Sequence, residues 1–299
     1  MRLEQGTSKY RQYISACRRA KTPQPATIKS ISPRTPLEKS VDWMALKRGL
    51  DTAEDRIVDA YKVVQNRQIE KIIDEAMKAI DSDKSPDERA EMLENINIPY
   101  KREITSAIGK ILGDLYDIGQ RETRQEMARQ GGEVLRLAMP LDSENNSTIK
   151  RFLKFRALAI VTELSNRLKG SLLNNGLNMI REGQTDRLML EGTITALSDR
   201  AIQSAAGMTV SEALNLGRES VAKRNENLVE EAVYSAILDE NVCPVCSGLN
   251  GTSYQVGTQA YEDAKPPRSV GGVVEECHGR NRCRCTYIYR FASEARPRG

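Results

Sequence analysis

Histidine is almost missing from this chain: 299 residues contain one, His278. Multi-histidine hydrolytic centres and Ser/His/Asp relays need imidazole placed beside a nucleophile or around an ion, and neither constellation can be assembled here. A metal nuclease with paired cysteine motifs would still need a histidine base and further ligands. Cys277-His278 does not make a nucleophile–base pair, because neighbours in sequence rarely face each other. A Gly-rich phosphate cradle is also lacking. The expectation is a protein that is not an enzyme. Aromatics are scarce as well, with three Phe and one Trp, so any core must be largely aliphatic. No apolar run reaches the length of a bilayer span, and Met1 to Tyr10 is polar where a secretory signal would be apolar. A soluble chain made in a reducing cytosol is expected, without a membrane partner. In that compartment cysteines serve metal binding more often than disulfides.

Charge is present but unevenly spread. Residues 1–40 carry nine Lys/Arg against Glu4 and Glu38, a net of +7, and residues 265–299 carry eight against three Glu, a net of +5. Since the whole chain is +4, the middle is acidic by about 8 charges. Basic ends on an acidic body suit contact with nucleic acid or an acidic protein surface, or are simply solvated.

Five of the six cysteines, with the one histidine, fall between Cys243 and Cys285. The stretch begins Cys243-Pro244-Val245-Cys246 and ends Cys277-His278-Gly279-Arg280-Asn281-Arg282-Cys283-Arg284-Cys285. A Cys-x-x-Cys turn grips one ion from one side, and a second Cys/His group can close a tetrahedral site from the other. The expected cofactor is structural Zn(II). Cys243 and Cys246 form the first pair, and Cys277 and Cys283 the preferred second, with His278 and Cys285 as competitors. Only one of Cys283 and Cys285 is expected to reach the metal, the other packing as a small buried hydrophobe. Cys17 lies far from this cluster.

Along the chain, residues 1–41 read as a basic arm: Pro23, Pro25, Pro33 and Pro36 oppose helix, and Tyr10 and Tyr13 offer anchors. Residues 42–206 read as a helical body. Ile57, Tyr61, Val64, Ile72, Ala76 and Ile80 mark one face, interrupted by Gln68. Ser85-Pro86-Asp87-Glu88 is a capping box with Pro in the first turn. Ile104, Ile108, Ile111, Leu115 and Ile118 form a seam that Gly131-Gly132 closes. A loop from Met139 to Ser147 leads to a stripe at Ile149, Leu153, Ala157, Ile160, Leu164, Leu168 and Leu172. Arg151, Lys154 and Arg156 near its start read as a solvated face first and a phosphate contact second. A further stripe at Leu190, Ile194, Leu197, Ala201 and Ala205 is expected to stop at Gly207, with Thr209-Val210-Ser211-Glu212 opening a new helix. After Leu228 the pattern turns to strands over Val229–Leu238, Thr252–Val256 and Arg284–Phe291. This last unit looks too poor in apolar residues to hold itself together without a metal. The fold class expected is mainly α: an elongated helical body followed by a small α+β, zinc-stapled C-terminal module, residues 207–299.

One resemblance runs through that module. Asn215-Leu216-Gly217-Arg218 on a helix is followed by Ser235 to Asp239, Cys243-Pro244-Val245-Cys246, Leu249-Asn250-Gly251, Pro266-Pro267 and Cys283-Arg284-Cys285. In order and spacing this resembles the C-terminal pattern of the phage head morphogenesis family, the minor head proteins of the Mu F-like group, over about residues 207–290. Two departures stand out. Gly207-Met208-Thr209 replaces the family's Arg-Thr-Glu, and an insertion separates Pro267 from Cys283, so that Cys277 is a candidate substitute for the family's histidine. The resemblance implies a minor capsid protein of the virion, in the host cytoplasm during assembly. Its implied partners are the portal protein and capsid or scaffold proteins, with packaged DNA as a target for the basic arm. The alternative is a zinc-containing nucleic-acid-binding protein, for which Arg268, Arg280, Arg282, Arg284 and Arg290 around the cluster would meet phosphates.

Overall fold

Four helices of between 31 and 40 residues set the architecture of the chain, which is described here from a computed structural model. The residues described are 28–29, 35–131, 143–238, 241–266 and 283–292. In order they form β1 (Ile28–Lys29), α1 (Pro36–Lys39), α2 (Trp43–Ile80), α3 (Pro86–Glu94), α4 (Lys101–Gly131), α5 (Ser143–Glu182) and α6 (Arg187–Arg224). A 3-10 turn at Glu226–Leu228 leads into β2 (Val229–Ser235), β3 (Asn241–Val242), α7 (Pro244–Leu249), β4 (Ser253–Tyr254), α8 (Gln259–Asp263) and β5 (Thr286–Phe291). The protein is mainly α, with a small α+β part near its C-terminus.

The chain divides into two units, each assembled from separated stretches. One takes Met1–Ala53, Gly113–Asn145 and Gly207–Gly299, and the other takes Glu54–Leu112 and Asn146–Ala206. The stretch 207–299 therefore shares its unit with pieces of α2 and α4.

In the second unit the apolar stripes are buried as their spacing requires. Ile57, Tyr61, Val64, Ile72, Ala76 and Ile80 are all buried on α2, as are Ile104 and Ile108 on α4. Ile72, Ala76 and Ile80 share one apolar cluster with Leu168 and Leu172 of α5 and Leu190 and Ile194 of α6. Ser85 caps α3 through the full capping box, with Pro86 in the first turn. Gln68, the polar break in the α2 stripe, is also buried. Its Nε2 donates to the Pro99 carbonyl at 2.8 Å, and its Oε1 accepts from the Tyr61 hydroxyl at 3.2 Å. The same hydroxyl lies 2.7 Å from Ser198 Oγ. Gln68→Ala removes the donor to the partly buried Pro99 carbonyl and leaves the Tyr61 hydroxyl with Ser198 as its partner. It is expected to cost about 1–3 kcal/mol in chemical denaturation, more than truncating an exposed Gln on the same helix.

In the first unit α4 and α6 touch backbone to backbone. A Cβ on Gly119 would lie 2.4 Å from the Leu214 carbonyl oxygen, and one on Gly217 would lie 2.2 Å from that of Tyr116. Only glycine fits at either point of this crossing. Next to it Tyr116, Gln120 and Ser220 hydrogen-bond one another between the two helices.

The sheet of this unit has the order β4-β2-β5, all antiparallel. β5 is an edge strand, and its outward backbone groups alternate along 285, 287, 289 and 291. Side chains from the helices meet them one after another. Asn215 donates to the Cys285 carbonyl at 3.0 Å, and Arg218 donates to that of Tyr287 at 2.9 Å. Gln130 donates to the Tyr289 carbonyl at 3.0 Å and accepts from the Phe291 N–H at 3.0 Å. An edge that would otherwise recruit another strand is closed by three polar side chains.

Two sequence expectations change. The helix does not stop at Gly207: α6 runs unbroken from Arg187 to Arg224. Burial of Ala206, Val210, Ala213 and Leu214 outweighs a glycine penalty of about 1 kcal/mol. Within 1–41, Pro36 opens α1 behind a Thr35 capping box instead of breaking a helix, and Ile28–Lys29 pair with Val242 and Asn241. The remainder of the expected arm, residues 1–27 and 30–34, lies outside the described residues, as does Cys17.

Candidate metal centre

Two pieces of chain bring sulfur together. The first is the start of α7. Cys243 is its N-cap residue, in extended conformation, with Pro244 in the first turn. Its Sγ accepts the Cys246 N–H at 3.4 Å, which turns the chain so that Cys246 sits one turn along, inside the fold. The second piece is Cys283-Arg284-Cys285, which runs into β5.

The Sγ atoms of Cys246, Cys283 and Cys285 all lie within 4.8 Å of one another, and all three residues are at most 1% exposed. The four described cysteines are thiols and form no disulfide. Around a tetrahedral zinc with bonds of about 2.3 Å, sulfurs sit about 3.8 Å apart. The three thiols are thus spaced to share one ion with small side-chain adjustment, and a buried cluster of this kind can hold a metal.

Both members of Cys283-Arg284-Cys285 join the group, against the expectation of one. The paired register of β5 begins at Thr286, so strand geometry does not fix the two side chains. Arg284 turns instead to Asp51, with Nη1 2.6 Å from the carboxylate. Cys243 is buried in the same apolar cluster but is not within the 4.8 Å group. Cys277 and His278 lie outside the described residues, as do Asp239, Glu240, Arg268, Arg280 and Arg282.

The surroundings suit thiolate. Tyr234, fully buried on β2, donates its hydroxyl to Cys246 Sγ at 3.4 Å. Burial, then the nearby thiols of Cys285, Cys246 and Cys283, push its pKa well up, so it stays a donor. Tyr261 stacks on Tyr287 at 5.0 Å, and Tyr287 meets the edge of Tyr234 at 6.1 Å. With Tyr254, Tyr289 and Phe291 these rings form a dry wall beside the sulfurs.

No family model, characterised protein or solved structure matches this chain.

Several residues of the site are not marked by any metal-ligand spacing. Tyr234 reads as one more apolar strand position. Asn215 and Arg218 were visible only as parts of a motif, with nothing to tell that they would reach the backbone of Cys285 and Tyr287. Glu126, which holds Arg218 through two oxygens at 2.5 and 2.9 Å, carries no local signal at all.

Proposed function

We propose that this chain is a minor head protein of a tailed bacteriophage. It is a structural component that associates with the portal and with capsid or scaffold proteins, in head assembly, DNA packaging or DNA delivery. The observation that carries the reading is the spatial unity of the motif. Asn215 and Arg218 of Asn-x-Gly-Arg bind the strand that starts with Cys-Arg-Cys, and that element meets the Cys-x-x-Cys at Cys246. Gly217 of the same motif is required where α4 and α6 touch. Residues that resemble the family in sequence order thus serve one local structure, as an inherited module should.

The metal is zinc and its part is structural. Three thiolates favour Zn(II) over harder ions, and all three are buried among the described residues, which suits a structural role. The fourth ligand comes from Cys243, Cys277 or His278. Burial of Cys243 beside the cluster and its place in the Cys-x-x-Cys turn support the first of these. Of the arginines offered for a nucleic-acid-binding role, the described Arg284 is engaged with Asp51 and Arg290 with Glu231 at 3.0 Å, which favours a structural part for these two. Contact with packaged DNA is assigned to the basic residues of the N-terminal arm. No helix among the described residues is long and apolar enough to cross a membrane.

Quantitative mass spectrometry of heads purified from the phage that carries this gene tests the reading. The chain is expected at low copy in heads, at a fixed ratio to portal protein. Its absence from procapsids and filled heads alike would overturn the assignment.

A further inference from the structure

Cys283 and Cys285 stand just beyond the end of the sheet. The last pairing of β5 with β2 is Ser235 with Thr286, so the ladder does not reach the two thiols. Their partner Cys246 is carried by a different element, α7. A tetrahedral site tolerates errors of only a few tenths of an ångström in sulfur position. Something other than the ladder must place the Cys-x-Cys backbone.

Asn215 does this from α6. It is 6% exposed, and its Nδ2 donates to the carbonyl of Cys285 itself, at 3.0 Å. One helical turn along, Arg218 fixes the carbonyl of Tyr287, two residues further on the same strand edge, at 2.9 Å. Both donors sit on a helix whose own position is set by the glycine crossing at Gly119 and Gly217. The line of placement therefore runs from packed helix backbone, through one buried amide, to a thiol-bearing residue.

We infer that Asn215 is a positioning residue of the metal centre, holding the Cys285 carbonyl so that the Cys283 and Cys285 thiols meet that of Cys246. This rests on the reading of the thiol cluster as a metal site. Asn215 touches no metal. It acts on the ligand backbone as outer-shell hydrogen bonds act on other metal sites, where their loss weakens binding about 10–100-fold.

The test uses the full chain, with Co(II) as a spectroscopic probe and Zn(II) affinity from chelator competition. Three variants are compared with wild type. Asn215→Ala removes the donor, and Asn215→Leu removes it while keeping the volume. Ser220→Ala weakens the α4–α6 contact without touching β5 and controls for general destabilisation. Wild type is expected to give thiolate-to-Co(II) charge-transfer bands and tetrahedral ligand-field bands. Both Asn215 variants should bind Zn(II) about 10–100-fold more weakly. They should also shift the ligand-field bands under saturating Co(II), with helical circular dichroism retained. Ser220→Ala should lower the melting temperature and leave affinity and bands in place. Either Asn215 variant that folds and matches wild type in affinity and spectrum would overturn the positioning role alone. So would Ser220→Ala reproducing the Asn215 losses. A wild-type chain with no thiolate-to-Co(II) band would overturn the metal reading and this inference together.

Discussion

Full-length protein treated with a strong chelator at neutral pH is expected to loosen around α7, β4 and the start of β5 while its long helices stay helical. Structural zinc in small fingers contributes an apparent 10–16 kcal/mol. The loss here should be smaller, on the order of several kcal/mol, because the site does not stand alone. The sheet, whose own Tyr234, Tyr254, Tyr287 and Tyr289 are buried, shares its core with Tyr261 of α8, Met127 of α4 and Val221 and Ala222 of α6. Backbone hydrogen exchange is the direct measure. Protection should fall over 241–254 and 283–287 and persist over the buried stripes of α2 and α5. Cys246→Ser, Cys283→Ser and Cys285→Ser should each reproduce the effect of the chelator. Cys243→Ser separates two roles. If Cys243 serves only to cap α7, serine replaces it well and zinc stoichiometry stays at one. If it is the fourth ligand, zinc is lost. Protons compete with metal for thiolate, so zinc should also be released as pH falls below neutrality. Unchanged exchange after complete metal removal would sink the stapling role.

How much of this was legible in the sequence differs by element. The long helices were, because a stripe such as Ile104, Ile108, Ile111 and Leu115 has one way to be buried. The capping box at Ser85 was, because its bonds are local. Gly207 misled, since local stop signals lost to the burial of Ala206, Val210 and Leu214. The cysteine cluster announced itself by spacing, but which sulfurs meet depended on where β5 begins its pairing. The support behind the cluster was out of reach. Asn215 and Cys285 are 70 residues apart, and Arg218 and Glu126 are 92 apart. No periodicity encodes a pairing at that distance. The C-terminal unit was expected to be too poor in apolar residues to hold itself together without a metal, and its sequence did not announce that Met127 of α4 shares its core.

Breaking the pair Glu126–Arg218 is expected to be the most damaging change that leaves the cysteines intact. Both side chains are at most 1% exposed, and the guanidinium binds both carboxylate oxygens. Burial disfavours the charge on Arg218, but the Glu126 carboxylate more than offsets this, and the pKa of Arg218 is raised. Removing one partner leaves the other charged in a dry core, a loss of about 3–5 kcal/mol. Glu126→Gln should fall in this range despite its similar shape, because it removes the charge and not the volume. Arg218→Lys should not rescue, since an ammonium cannot serve Glu126 and the Tyr287 carbonyl with the same fork. The pair of substitutions Glu126→Leu and Arg218→Met removes both charges and should recover part of the loss. It should not recover all of it, because the Tyr287 carbonyl on the sheet edge loses its donor. Chemical denaturation of the three variants checks this order. The single changes should fall well below wild type and the double change should lie between. If Glu126→Gln is as stable as wild type, the ion pair does not hold β5 to the helices, and the closed edge of the sheet rests on the neutral hydrogen bonds of Asn215 and Gln130 and on Arg218 without its carboxylate partner.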